Sequence, residues 1–268
     1  MTQLKGKNVL ITGAATGIGK ELAKIVLTKG VQNLVLWDNN QHLLHETIVE
    51  LSLYNINIHP IVADVSDLDQ ILSAAHKTKE LVGTIDILIN NAGILIGKYF
   101  YEHSHVDIHN EMTINANAYM HIALEFLPEM LNQGTGHICN IASAAGMLGN
   151  PKMSIYCASK AAVIGWSDSL RIELKTLNKP VHITIVTPNY INTGMINGVK
   201  SLVPILKKEV TAQRIIHAIE RNKTFLRLPT IIYTLPILKG ILPVPMFDII
   251  VGKILGVYGT MKGYKEKN

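Results

Sequence analysis

The amino-acid sequence predicts a doubly wound α/β fold, a parallel sheet covered by helices on both faces. Three observations carry that expectation. Short β-branched runs alternate with longer helical patterns. Each run is continuously apolar rather than alternating, as burial on both faces requires. The segments between runs are long enough to hold crossover helices.

Taken in order, the strands are expected over residues 8–12 (NVLIT), 33–37 (NLVLW), 56–62 (INIHPIV), 85–90 (IDILIN), 136–141 (GHICNI) and 181–187 (VHITIVT). Helices are expected over 18–29, 41–53, 68–82, 105–132, 156–177 and 211–221, several opening near Ser, Thr or Asp residues that can cap their first amides. Of the 268 residues, 48% are hydrophobic and 17% charged, enough for one large core, and no shift in composition divides the chain. We therefore expect a single domain. Residues 1–200 form its dinucleotide-binding and catalytic core, and residues 201–268 a substrate lid and a basic, apolar C-terminal extension.

The opening MTQLKGKNVLITG breaks its apolar run at a glycine, too early for a signal-peptide core or a membrane span. Cys139 and Cys157 are the only cysteines and read as reduced core residues. Both features point to the cytoplasm. The net charge of +5 is uneven, since residues 201–268 carry eleven Lys or Arg against four Asp or Glu. The aliphatic, proline-rich surroundings of these cations lack the aromatics that stack on bases, so nucleic acid is not an expected partner.

After the first strand, Thr12-Gly13-Ala14-Ala15-Thr16-Gly17-Ile18-Gly19 leads into a helix. Without Cβ atoms at Gly13, Gly17 and Gly19 the backbone can approach a pyrophosphate, which the helix N-terminus attracts. This is the phosphate loop of a Rossmann-type sheet, although its spacing departs from G-x-G-x-x-G and the glycines alone could serve only a tight turn. Asp38 closes the second strand nineteen residues past Gly19, where an acid would bind a ribose 2′-hydroxyl. A carboxylate repels a 2′-phosphate, and neither Thr16 nor Asn39 offers an offsetting cation, so NAD is expected over NADP.

Ser143 follows the fifth strand, and thirteen residues on comes Tyr156-Cys157-Ala158-Ser159-Lys160 at a helix start. Tyr156 and Lys160, four apart, share one helix face. A nearby ammonium is expected to lower the phenol's affinity for its proton and make Tyr156 the acid–base group, while Ser143 holds the substrate oxygen. An isolated Y-x-x-x-K is usually a surface pair, but this one stands with the loop, the acid and the serine.

In this combination the chain resembles the short-chain dehydrogenase/reductase family over about residues 5–195. The resemblance rests on the TGAATGIG loop, Asp38, Asp64-Val65, Asn90-Asn91-Ala92-Gly93, Asn115, Ser143, YCASK and the segment from Pro188 to Thr193. It implies Asn115, Ser143, Tyr156 and Lys160 as catalytic residues, with Asn115 fixing a helix bend; Asn117, two residues on, is the alternative. It also implies that the cofactor is bound by Gly13, Thr16, Gly17, Ile18, Gly19, Asp38, Asp64, Val65, Asn90, Ala92, Gly93, Tyr156, Lys160, Pro188, Ile191 and Thr193. Pro188-Asn189 stands where many members have Pro-Gly. PNYINTG, LVLWD and SAAG are most similar to the subgroup of retinol and 17-beta-hydroxysteroid dehydrogenases, whose members act on lipophilic alcohols, often at membranes.

The expected lid is apolar at Met195, Ile196, Val199, Leu202, Val203, Ile205 and Leu206, which favours a hydrophobic alcohol or ketone of steroid, retinoid or long-chain type. From residue 229 onward the aliphatic runs are too short to span a bilayer, whereas residues 246–258 suit an apolar helix flanked by lysines. That helix either lies on a membrane or packs on the protein. His103, His105 and His109 cluster without the partners of a metal site, so no metal is expected. A homodimer or homotetramer follows from the resemblance alone. The rival readings are a nucleotide-binding regulator without turnover and a membrane-associated scaffold.

Overall fold

The computed structural model describes residues 1–54 and 56–264. Lys265 and Lys267, which add to the basic C-terminal stretch, lie outside the described residues. Seven parallel strands form one sheet in the order β3-β2-β1-β4-β5-β6-β7. They are β1 (Asn8–Thr12), β2 (Asn33–Asp38), β3 (Asn57–Val62), β4 (Ile87–Asn90), β5 (Gly136–Ile141), β6 (Val181–Pro188) and β7 (Phe225–Leu228).

The apolar runs divide between two faces with the two-residue period of a strand. In β1, Val9 and Ile11 pack with Leu22 and Val26 of α1 (Gly17–Thr28) and with Ile215 and Ile219 of α7 (Lys208–Glu220). Leu10 faces the other way, into a cluster with Ile71 of α3 (Leu68–Val82), Phe126 of α5 (Ala118–Asn132) and Val163 of α6 (Ser154–Thr176). α2 (Gln41–Leu51) covers the β2 side of the first face through Leu44 and Leu51.

Three sequence expectations need correction. β3 is not buried on both faces: it is the edge strand, mostly exposed or half-buried, and Pro60 sits where a missing amide is tolerated. β7, with Arg227 in a four-residue run, was not foreseen, and it brings residues beyond 200 into the sheet itself. The helix expected over 105–132 is interrupted. α4 (His105–Met112) gives way to a π-helical turn over Thr113–Asn117, in which the Ala118 amide bonds to Thr113 O, before α5 begins.

Beyond β7 the backbone is less regular. A 3₁₀ turn over Thr230–Thr234 leads into α8 (Leu235–Ile241) and α9 (Val244–Phe247), followed by a π-helical stretch over Asp248–Ile254 and a 3₁₀ turn over Val257–Gly259. The single helix expected over 246–258 is therefore three shorter pieces. Among the described residues no helix is long and apolar enough to cross a membrane.

Candidate active site

Strand order reverses between β1 and β4, and the cleft above such a switch point is where a doubly wound sheet binds its ligand. The glycine loop leaves β1 there and the Asn91-Ala92-Gly93 turn leaves β4. Above them lies a cavity of about 740 Å³ that reaches from Asp38 and Asp64 at one end to Leu238 and Leu255 at the other.

The nucleotide end is shaped by backbone. Gly13 (φ +62°) and Gly17 (φ +58°) adopt the left-handed region that disfavours side chains. A Cβ on Gly13 would come within 2.8 Å of Ala92 Cα, and one on Gly19 would collide with the Gly13 carbonyl. Thr16 begins α1 without a side-chain cap, and no acid occupies the first turn. By contrast Asn40, Asp67 and Ser104 cap α2, α3 and α4. The α1 amides and the positive end of its dipole thus face the cavity, which fits a pyrophosphate.

Asp38 lines the cavity while accepting hydrogen bonds from the Ala15 amide (2.9 Å) and the Asn40 amide (3.0 Å). Asp64 accepts from the Ser66 amide and hydroxyl at 2.9 and 2.7 Å, with Val65 beside it on the wall. Thr16, Ile18, Ala92, Gly93, Pro188, Ile191 and Thr193 also line the cavity. Gly19 does not: its part is the tight turn. Asn90 is likewise off the wall, fully buried, and its amide donates to Asn140 Oδ1 at 2.9 Å. In its place Asn91 lines the cavity and donates to the Thr12 and Gly13 carbonyls, both at 3.0 Å.

Ser143, Tyr156 and Lys160 meet on the wall between the two ends. Ser143 follows β5 and accepts from the Ala145 amide at 3.1 Å. Tyr156 stands in the first turn of α6, and Lys160, one turn on, is 3% exposed. The Lys160 ammonium lies 5.8 Å from the Tyr156 ring centre and donates to Ile141 O at 2.9 Å and Tyr119 Oη at 3.4 Å.

Burial raises the Tyr156 phenol well above its ordinary value, and the hydrogen bond with Ser143 draws it back. The ammonium is anchored on Ile141 and Tyr119, and Ser143 supplies the contact that favours the ionised phenol. Burial lowers Lys160 itself to about 7, against the pull of the Glu111 carboxylate.

Asn115 is buried in the π-helical turn. It donates to Ile94 O (2.9 Å) and Ser159 Oγ (3.2 Å) and accepts from the Ile94 amide (2.8 Å). It therefore clamps the β4 turn to the helix that carries Tyr156 without lining the cavity. Asn117 is exposed.

Of the expected lid, Met195, Ile196 and Val203 line the cavity, whereas Leu202 is exposed and Leu206 packs on the core. Sequence reasoning missed Asn150, Tyr190, Leu235, Leu238 and Thr260 as wall residues. The spacing of Ile232, Leu235 and Leu238 by three residues was the available signal. Cys139 and Cys157 are free thiols, and His103 turns toward Asp107 at 3.6 Å. Among the described residues no group of His, Cys, Asp or Glu is arranged to hold a metal ion.

A glycine-walled turn that fits a pyrophosphate, joined to a wall of half-buried Ser143 and Tyr156 and buried Lys160 on a doubly wound sheet, is the arrangement of a nucleotide-dependent oxidoreductase. The short chain dehydrogenase profile matches residues 7–202. Estradiol 17-beta-dehydrogenase 11 of Homo sapiens is 36% identical over 264 residues, 98% of this chain and 88% of that protein. Epidermal retinol dehydrogenase 2 of Mus musculus is 36% identical over 267 residues, 97% of this chain and 85% of that protein. A short-chain dehydrogenase/reductase of Burkholderia phymatum, solved in complex with NAD, aligns with a TM-score of 0.82 at 26% identity, covering 94% of this chain and 96% of its own. The chain belongs to the short-chain dehydrogenase family and is an oxidoreductase acting on CH–OH donors.

Proposed function

We propose that this NAD-dependent oxidoreductase interconverts a lipophilic primary or secondary alcohol and its aldehyde or ketone, of steroid, retinoid or long-chain type. The observation that carries the proposal is the charge distribution of the cavity wall. Among the described residues its charged groups are Asp38, Asp64 and Lys160, and the far end is walled by residues such as Leu148, Met153, Ile196, Leu238 and Leu255. A small ionic substrate finds no counter-charge there, while an apolar one loses water on all sides. Estradiol and retinol, which name two of the relatives, are lipophilic alcohols of this kind.

In this reading Asp38 holds the ribose, the Thr16–Gly19 turn cradles the pyrophosphate, and Asp64 and Val65 flank the adenine. Ala92, Gly93, Pro188, Ile191 and Thr193 follow the nucleotide inward. Bound NAD supplies a hydride acceptor, or in its reduced form a donor. Ser143 hydrogen-bonds the substrate oxygen, and Tyr156 takes its proton in oxidation and returns it in reduction. Lys160 is the cation that offsets charge developing on the phenol, and Asn115 ties the β4 turn to the helix that bears Tyr156.

The proposal includes a lid role for the segment after residue 200, self-association as a dimer or tetramer, and contact between the C-terminal helices and a membrane surface. Ile237, Ile241, Val244 and Ile254 are 60%, 74%, 72% and 66% exposed, close in sequence to Lys239 and Lys253, which supports the membrane contact. An NAD-linked absorbance screen over lipophilic and small polar alcohols tests the substrate class. Turnover confined to the small polar ones overturns it.

A further inference from the structure

The cavity wall holds a cluster of polar side chains that the reaction does not use. Asn150 lies in the loop between Ser143 and α6, and its Nδ2 donates to Tyr190 Oη at 2.9 Å and Thr260 Oγ1 at 2.8 Å. Those two hydroxyls are themselves 2.8 Å apart, so the three residues close a triangle. Each comes from a different part of the chain: the loop before α6, the turn after β6 and the C-terminal segment. All three line the cavity.

The Asn150 Oδ1 is buried and accepts no hydrogen bond. Among the described residues, buried side-chain polar atoms in that condition also occur on Asn90, Thr187 and a few others, but only Asn150 lines the cavity. A buried acceptor without a donor is destabilising, so the group is complete only when something donates to it. Exchanging the amide's two ends leaves the same requirement. If the oxygen accepts from Tyr190 and Thr260, the nitrogen is the end left over. A hydroxyl answers either case, because it can donate to the oxygen or accept from the nitrogen.

The surroundings are apolar. Met153 Sδ lies 3.5 Å from the Asn150 amide and 3.8 Å from Tyr190 Oη, and Leu148 and Ile196 share the same wall. Ser143 and Tyr156 already serve the reacting oxygen. The geometry points to a second oxygen function on the substrate, remote from the reacting carbinol and bound by Asn150 within the Asn150–Tyr190–Thr260 triangle. This inference rests on the lipophilic-alcohol reading and narrows it: the preferred substrate is oxygenated at two separated positions instead of being a simple long-chain alcohol.

The test compares α,ω-alkanediols of increasing length with matched 1-alkanols in the NAD-linked assay, for the unmodified protein and for Asn150→Leu and Asn150→Ala. The unmodified protein is expected to favour the diol in kcat/KM by roughly tenfold at one chain length, since a site built around a hydrogen bond rejects the analogue that lacks it. Both variants should bring that ratio close to one. The ratio is taken within a single preparation, so partial misfolding cancels. A diol preference absent at every length, or one that survives both substitutions, overturns the inference while leaving the lipophilic-alcohol reading intact. Failure to oxidise any 1-alkanol or diol overturns the inference, and if steroid and retinoid alcohols are not turned over either, the lipophilic-alcohol reading falls with it.

Discussion

At the nucleotide end of the cavity the wall is backbone held by neighbouring backbone, as where Gly13 approaches Ala92 and Asn91 ties the turn to the Thr12 and Gly13 carbonyls. At the substrate end it is side chains from segments far apart in sequence, Leu148, Tyr190, Leu238 and Thr260 among them, carried on loops and short irregular helices. The first end fits what backbone amides and a fixed carboxylate can bind, and in the proposed reading that is a phosphate and a ribose. The second can be recast by exchanging side chains. One molecule thus pairs an end whose ligand is set by covalent geometry with an end whose ligand is set by packing, and the proton-transfer wall stands between them.

The largest effect is expected at that dividing wall. Tyr156→Phe is expected to reduce turnover by ~10²–10⁴-fold while leaving the thermal shift induced by NAD unchanged, because the proton path is lost and the cradle is not. Equal loss of both would mean the two ends are not separable. Asp38→Asn sharpens the contrast from the nucleotide side. Removing the carboxylate should lower the preference for NAD over NADP roughly ten- to hundredfold in kcat/KM, without altering the ranking of alcohols.

Lys160 offers a thermodynamic test. Burial lowers its ammonium from the ordinary value of 10.5, which holds in the unfolded chain, to about 7 in the fold. Between those values the unfolded chain binds more protons, so the stability of the natural protein rises with pH at up to ~1.4 kcal/mol per unit. Lys160→Met should therefore stabilise the fold, most strongly below about pH 7, with the gain shrinking toward about pH 10 in denaturant titrations. A gain independent of pH would remove buried charge as its cause. The smallest effect is expected at the outer surface. Ile237→Glu with Ile241→Glu should weaken flotation with anionic liposomes several-fold while sparing turnover of a detergent-dispersed alcohol.

The same division governs how much could be read from sequence. Strands β1, β5 and β6 are buried along almost their whole length and stop at or near their expected ends, and the glycine loop, Asp38, Ser143, Tyr156 and Lys160 could be singled out as candidates because backbone geometry and proton transfer restrict residue choice. β7 escaped notice since four residues containing Arg227 carry no period of their own and are strand only by pairing with β6. Asn90 was assigned to the cofactor by resemblance although its neighbour Asn91 is the one on the wall, a distinction made by which way each side chain leaves β4. The substrate end stayed illegible because Asn150, Tyr190 and Thr260 converge only in three dimensions, over separations of 40 to 110 residues.

The π-helical turn at Thr113–Asn117 behaves as a one-residue insertion within an otherwise continuous helix. Each residue advances an α-helix by about 100°, so deleting one there would rotate everything before the turn by that angle relative to α5. Tyr119, Ile122 and Phe126 would keep their seats in the core, while Asn115 would swing away from Ile94 and Ser159. In sequence comparison such a deletion would look trivial, a single gap in a helix. Its effect would be that of uncoupling the β4 turn from the helix bearing Tyr156.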